Sequence, residues 1–154
     1  HTSEVVIKGP NLMLGYRDNR RANVEAFKNG WFRTGDQGML SARGYLTLTG
    51  RLKELINRGG EKISPLEVDA VLLRHPSVAE AVTFGTPDDK YGEAVCAAVV
   101  IKGEASPEDL RRHCADHLAS FKVPDRVFIS DSLPRTATGK VQRRHIASTF
   151  AVED

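Results

Sequence analysis

The sequence predicts an α+β protein in two unequal parts: a β-rich stretch over residues 1–50, and from Arg51 onward a small α/β unit with a mixed three-stranded core sheet, a hairpin and covering helices. Three observations carry this expectation. Short strand patterns separated by Gly-containing turns fill the first third without summing to a closed sheet. From Arg51 onward, strand and helix patterns alternate as they do in a compact layered domain. Two helix starts in that second part are signalled by Ser-Pro followed by acidic residues, at Ser64 and at Ser106.

The elements follow in order. Residues 4–8 (EVVIK) alternate as a strand and run into a turn at Gly9-Pro10-Asn11. Residues 20–28 fit a short helix closed by Asn29-Gly30. WFRTGD then leads into a hairpin with arms at 38–41 and 45–49 around Ala42-Arg43-Gly44, and Trp31 and Phe32 are expected to pack inside this part. About fifty residues of strand and turn bury little by themselves, so this part reads as the tail of a larger domain and the sequence as starting mid-fold.

RLKELINRGGEKI is two extended stretches around Gly59-Gly60, a hairpin signal. Ser64, Pro65 and Glu67 have the spacing of a capping box, and the helix they open buries Val68, Val71 and Leu72 before stopping at His75-Pro76. Residues 78–85 and 94–101 are strands, the second apolar enough to be central. Ser106-Pro107-Glu108-Asp109 caps a helix on which Leu110, Cys114 and Leu118 recur at helical spacing. Arg126–Ile129 is a last strand, and 141–150 a terminal helix.

Composition excludes several classes. Of 154 residues, 40% are hydrophobic, enough for a packed core, and the net charge of +2 is too small to argue for nucleic acid or a membrane surface. No apolar run approaches the roughly 20 residues that span a bilayer, and no signal-peptide pattern opens the chain. Cys96 and Cys114 lie in apolar or helical segments and read as buried free thiols of a reducing, cytoplasmic setting.

The run LPRTATGKVQRR carries the most chemistry. It sets Lys140 directly after Gly139 in a small polar loop, where the glycine lets the backbone swing and the ammonium sits at the tip. A lone ammonium of this kind can meet anionic groups that exist only during part of a reaction. The loop is no Walker-type phosphate cradle, because Val141 stands where Ser or Thr is required and the motif's first glycine is missing. His113 and His117 have metal-compatible spacing on one helix, but no third ligand accompanies them and no metal is expected.

In this order and spacing, GPNLMLGY, WFRTGD, GRLKELINRGGEKISPLEVD and LPRTATGKVQRR resemble the adenylate-forming superfamily, and most of all its acyl-CoA synthetases, including fatty-acid, 4-coumarate and oxalate CoA ligases. The resemblance covers essentially the whole chain. It implies a C-terminal lid domain of roughly one hundred residues, preceded by a fragment of a large N-terminal domain over 1–50 and by a hinge over 51–53. It further implies an ATP-dependent enzyme of fatty-acid or other small organic-acid metabolism, which makes an acyl-adenylate and then an acyl-CoA thioester. ATP and Mg are bound mainly by the N-terminal domain, which is also the chain's partner. The phosphate loop and acyl pocket of the family have no counterpart in these residues, so the chain is expected to be inactive alone. A ligase that loads a carrier protein, or a non-catalytic α/β binding module, are the rival readings.

The resemblance also implies roles. Lys140 matches the lysine that bridges carboxylate and α-phosphate during adenylation. Asp36, an acceptor-only carboxylate, matches the group that takes hydrogen bonds from the ribose hydroxyls of ATP, and Arg51 contacts the same ribose. Read from residues alone, Asp36 could equally be a turn aspartate, and Arg51 a surface partner of Glu54 or Glu61. Lys53 falls at the hinge about which the lid rotates between the two half-reactions. Gly59, Gly60 and Glu61 match the face turned to CoA in the second pose, where a Cβ would obstruct the pantetheine arm. Arg58, Arg143 and Arg144 are weaker candidates for contacts to CoA phosphates.

Overall fold

The computed structural model describes residues 2–150. The chain divides into two compact units, His1–Lys53 and Glu54–Asp154.

The first unit is a four-stranded antiparallel sheet built on one long strand. Strand β1 (Ser3–Ile7), helix α1 (Arg20–Ala26) and the two-residue β2 (Phe27–Lys28) precede β3 (Trp31–Leu40), and β4 (Leu46–Arg51) follows it. β3 pairs with β1, β2 and β4. WFRTGD is therefore strand itself and not a lead-in, so the expected hairpin arm is longer than 38–41. The predicted helix over 20–28 stops at Ala26, because Phe27 and Lys28 pair with Phe32 and Trp31. Asn19 caps α1, its side chain accepting from the Ala22 N–H at 3.0 Å, and Asn29 and Gly30 take φ of 53° and 78° in the turn. Trp31 does not pack inward as expected: it is 44% exposed, with Lys8 over its ring, while Phe32 meets Phe27 at 5.3 Å. The buried hydrophobic side chains among the described residues all lie at or beyond Ile56.

The second unit holds that core. A 3-10 turn at Leu52–Glu54 leads into the hairpin β5 (Ile56–Arg58) and β6 (Glu61–Ile63), then α2 (Pro65–Leu72), β7 (Val78–Asp88), β8 (Gly92–Ile101), α3 (Pro107–His117), a 3-10 turn at Ser120–Lys122, β9 (Arg126–Ile129) and α4 (Arg143–Phe150). β8 is central. It runs antiparallel to β7 with Val82 opposite Ala98, and parallel to β9 with Ala97 opposite Val127. These three strands are the expected mixed core sheet, and the hairpin joins them through Arg58 opposite Gly92 to make five strands.

Period-two alternation on β8 sorts the core into two layers. Val95, Ala97 and Val99 face α2 and α3, packing with Val68, Leu72, Leu110 and Cys114. Cys96 and Ala98 face the other way, toward Leu133 and Ile146 of the terminal segment. Both faces are covered, which is why β8 reads as a continuous apolar run.

The two Ser-Pro signals behave differently. Ser106 and Asp109 form a reciprocal capping box, each side chain taking the other's backbone N–H at 3.1 Å. Ser64 stands at the N-cap of α2 with Pro65 behind it, but no capping hydrogen bond forms from its side chain. Glu67, expected to complete that box, instead receives both carboxylate bonds from Lys122 Nζ, at 2.7 and 2.8 Å. A charge-assisted pair of this kind outcompetes a neutral backbone donor.

Candidate functional site

Lys140 sits on a closed turn. The Thr136 N–H donates to the Lys140 carbonyl at 2.8 Å, the Gly139 N–H to the Thr136 carbonyl at 2.8 Å, and the Lys140 N–H to Thr136 Oγ1 at 3.1 Å. Gly139 takes φ of 80°, and a Cβ there would meet nothing within 4 Å. The loop read as mobile is a turn closed by its own hydrogen bonds, with Arg135 Nη1 adding a bond to the Gly139 carbonyl at 3.0 Å. The tip still points outward. The Lys140 side chain is exposed, and no carboxylate among the described residues pairs with it. It borders an open cleft of about 480 Å³ lined also by Glu54, Val82, Gln142, Arg143 and His145.

Asp36 and Arg51 are brought together. They are Cα partners across β3 and β4, and Arg51 Nε lies 2.9 Å from Asp36 Oδ1. The preceding turn is pinned as well: Gly35 takes φ of 73°, the Asp36 N–H donates to Thr34 Oγ1 at 3.0 Å, and that hydroxyl donates to the Val5 carbonyl at 2.7 Å. Lys53 is exposed in the 3-10 turn that meets the boundary of the two units.

Gly59 and Gly60 form the two-residue turn of the β5–β6 hairpin, with φ of 58° and 92°. Two successive positive φ values suit glycine and few other residues. Both are exposed, as is Glu61, and a Cβ on Gly60 would meet nothing within 4 Å, whereas one on Gly59 would touch Tyr91 at 3.4 Å. The surroundings are basic: Lys90 and Arg58 both stack on the Tyr91 ring, at 4.8 and 5.3 Å, and Arg58 is held by Asp125 at 3.0 Å.

One functional candidate was undervalued by sequence reasoning. Arg143, 15% exposed, reaches three acceptors: Glu54 at 3.3 Å, Asp69 at 2.9 Å and the Thr83 carbonyl. Burial raises the Asp69 carboxyl above its ordinary 3.8, and Arg143's charge pulls against that rise. The side chain of Arg144 lies outside the described residues. His113 is engaged with the Val71 carbonyl at 3.0 Å and His117 with the His113 carbonyl at 2.8 Å; no group of three His, Cys, Asp or Glu suited to a metal occurs among the described residues. Cys96 and Cys114 are buried and free, and burial pushes the Cys114 thiol up to about 11.

Residues 67–140 match the AMP-binding enzyme C-terminal domain. The chain is 58% identical, over 99% of its length, to a probable CoA ligase of Humulus lupulus, and 57% identical, over 96%, to the oxalate–CoA ligase of Arabidopsis thaliana. It belongs to the family of AMP-binding enzyme C-terminal domains. The chain spans 29% of the length of each of these relatives. Among solved structures, the o-succinylbenzoate CoA synthetase of Bacillus subtilis matches this chain with a TM-score of 0.87 and 42% identity in its complex with an acyl-adenylate intermediate, over 94% of this chain and 30% of that one. Its complex with ATP and a magnesium ion matches at 0.87 and 40%, over 95% of this chain and 30% of that one. Lys140 closes the matched segment, whereas Asp36, Arg51, Lys53 and Gly59–Gly60 precede it.

Proposed function

We propose that this chain is the C-terminal region of an ATP-dependent acid–thiol ligase, an acyl-CoA synthetase, and that residues 54–154 are its lid. In the first half-reaction a carboxylate oxygen attacks the α-phosphorus of ATP, giving acyl-adenylate and pyrophosphate. In the second the thiolate of CoA attacks the acyl carbon and AMP leaves. The observation that carries the reading is Lys140, an ammonium without a carboxylate partner among the described residues, displayed on a hydrogen-bonded turn at a cleft.

The chemistry fits that display. Carboxylate and α-phosphate repel each other, and a cation between them offsets the repulsion most strongly where water is excluded. Asp36 supplies acceptors for two ribose hydroxyls while Arg51, paired with it, fixes the carboxylate and offers its remaining N–H groups to the same sugar. Magnesium would arrive with ATP, as the resemblance implies. Rotation about Lys53 would then withdraw Lys140 and present the Gly59–Gly60 turn, whose lack of side chains leaves room for a narrow thiol-bearing arm and whose neighbours Arg58 and Lys90 are cationic.

The test is an acid-dependent exchange of pyrophosphate into ATP by the full-length enzyme carrying this sequence, followed by AMP release on adding thiol acceptors. Oxalate is the first acid to assay, because a relative at 57% identity is an oxalate–CoA ligase; fatty acids come next. AMP release driven by free CoA supports the reading. Release driven by a phosphopantetheinyl carrier protein alone would replace CoA with that acceptor.

A further inference from the structure

Arg143 stands three residues beyond Lys140 and is tied to three places at once. Its Nε donates to Glu54, its Nη2 to Asp69 on α2, and its Nη1 to the carbonyl of Thr83 on β7. Asp69 completes the cluster by accepting the Thr83 N–H at 2.5 Å. β7 ends the sheet, so the two backbone groups of Thr83 turned away from β8 would otherwise offer an open edge. Instead both are taken by side chains, and Thr83 is fully buried. The guanidinium thereby fastens the start of α4 to both α2 and the sheet.

The third tie concerns position. Glu54 follows Lys53 directly and is the first residue of the second unit. The hydrogen bonds inside residues 136–140 shape the turn but do not anchor it to the body. Anchoring comes from Arg135 to Glu80, from the buried Leu133 and Ile146, and from Arg143. Of these, the Arg143 tie alone reaches the residue next to Lys53.

We propose that Arg143 is a positioning residue for Lys140: through Glu54 and Asp69 it makes the Lys140 turn, α4 and the chain just after Lys53 one rigid piece, so that rotation at Lys53 is delivered to the ammonium without slack. This rests on the adenylation role given to Lys140 above. The geometry asks for arginine specifically. Three acceptors lying in different directions need the planar, divergent N–H groups of a guanidinium, and a lysine at this place keeps the charge but not the fork.

The experiment measures the two half-reactions separately in the full-length enzyme, using ATP with oxalate, or whichever acid supports pyrophosphate exchange, for the first and preformed acyl-adenylate with CoA for the second. Arg143→Lys and Glu54→Gln are each expected to lower kcat of adenylation by about ten- to a hundredfold, the scale of a misplaced catalytic group. KM for ATP and acid should stay within about twofold, and thioester formation should be nearly unchanged. On a Lys140→Ala background, adding Arg143→Lys should cost nothing further, because it acts through the missing ammonium. Equal losses in both half-reactions, or an additive loss on the Lys140→Ala background, would make Arg143 a merely structural residue and overturn the inference. An unchanged adenylation rate in folded Arg143→Lys would overturn it too. If Lys140→Ala itself leaves adenylation intact, the underlying reading fails first, and that result is separate from any Arg143 result.

Discussion

Arg51 and Asp36 face each other across β3 and β4 as Cα partners, and their side chains meet at 2.9 Å. The pair is lopsided in exposure, 66% for the arginine and 23% for the aspartate. An ion pair this open adds little stability, on the order of 0–1 kcal/mol. Its value under the proposed reading lies in holding an acceptor and a donor fork side by side. Asp36→Asn is therefore expected to change the unfolding free energy by less than about 1 kcal/mol while raising KM for ATP about tenfold or more, the scale of losing a charge-assisted hydrogen bond. Chemical denaturation and initial-rate kinetics on the same preparation check both halves. A large stability loss with unchanged ATP dependence would return Asp36 to the role of a turn residue.

Lys53 precedes Glu54 at the junction of the two units. Proline there fixes φ near −65° and removes one N–H, so a chain that must rotate at this residue loses freedom. The expected outcome for Lys53→Pro is pyrophosphate exchange near the parent rate and loss of CoA-dependent AMP release. A parent-like second step rejects the hinge.

The Gly59–Gly60 turn separates conformational strain from steric obstruction. Both residues have positive φ, so alanine at either is expected to cost about 1 kcal/mol or somewhat more in stability. Space around them differs, since a Cβ on Gly60 points into open surroundings and one on Gly59 meets Tyr91. Gly60→Ala should raise KM for CoA while sparing adenylation, and the reverse pattern would remove this turn from the thiol side of the reaction.

Asp69 and Arg143 give a pH signature. Burial is the dominant influence on Asp69 and raises its carboxyl above 3.8; Arg143 lowers it in part. For an acid whose folded pKa is raised, ionisation opposes folding: the cost is absent well below 3.8 and grows as pH climbs through the folded value. Arg143→Met removes the compensating charge and leaves a buried carboxylate, a loss of about 3 kcal/mol at neutral pH. The gap in Tm between variant and parent should be widest at pH 7–8 and shrink toward acid. A gap that stays constant, or widens in acid, would show that Asp69 is not the group left exposed to the charge penalty.

Much of the second unit is legible in its residues because local signals and tertiary packing agree there. β8 is apolar at successive positions because both faces are covered, and β9 spans the expected residues as its parallel neighbour. β7 runs past its expected end at Gly85 to Asp88, through Pro87 opposite Glu93. The extension can hold a proline because β7 ends the sheet, and an end strand tolerates a missing N–H. The Ser64 signal misleads because a residue 55 positions beyond Glu67, Lys122, claims its carboxylate. In the site, Lys140 and the paired glycines are readable from a few adjacent residues. The Asp36–Arg51 contact depends on strand register, and the ties of Arg143 to Asp69 and Glu54 span 74 and 89 positions. No pattern within a short window announces such contacts.

The most direct measurement compares the two half-reactions of Lys140→Ala with those of the parent full-length enzyme. Pyrophosphate exchange is expected to fall by about a hundredfold or more, as for removal of a group that stabilises developing charge, while conversion of preformed acyl-adenylate to thioester proceeds near the parent rate. Equal loss in both steps, or undiminished exchange, contradicts that expectation.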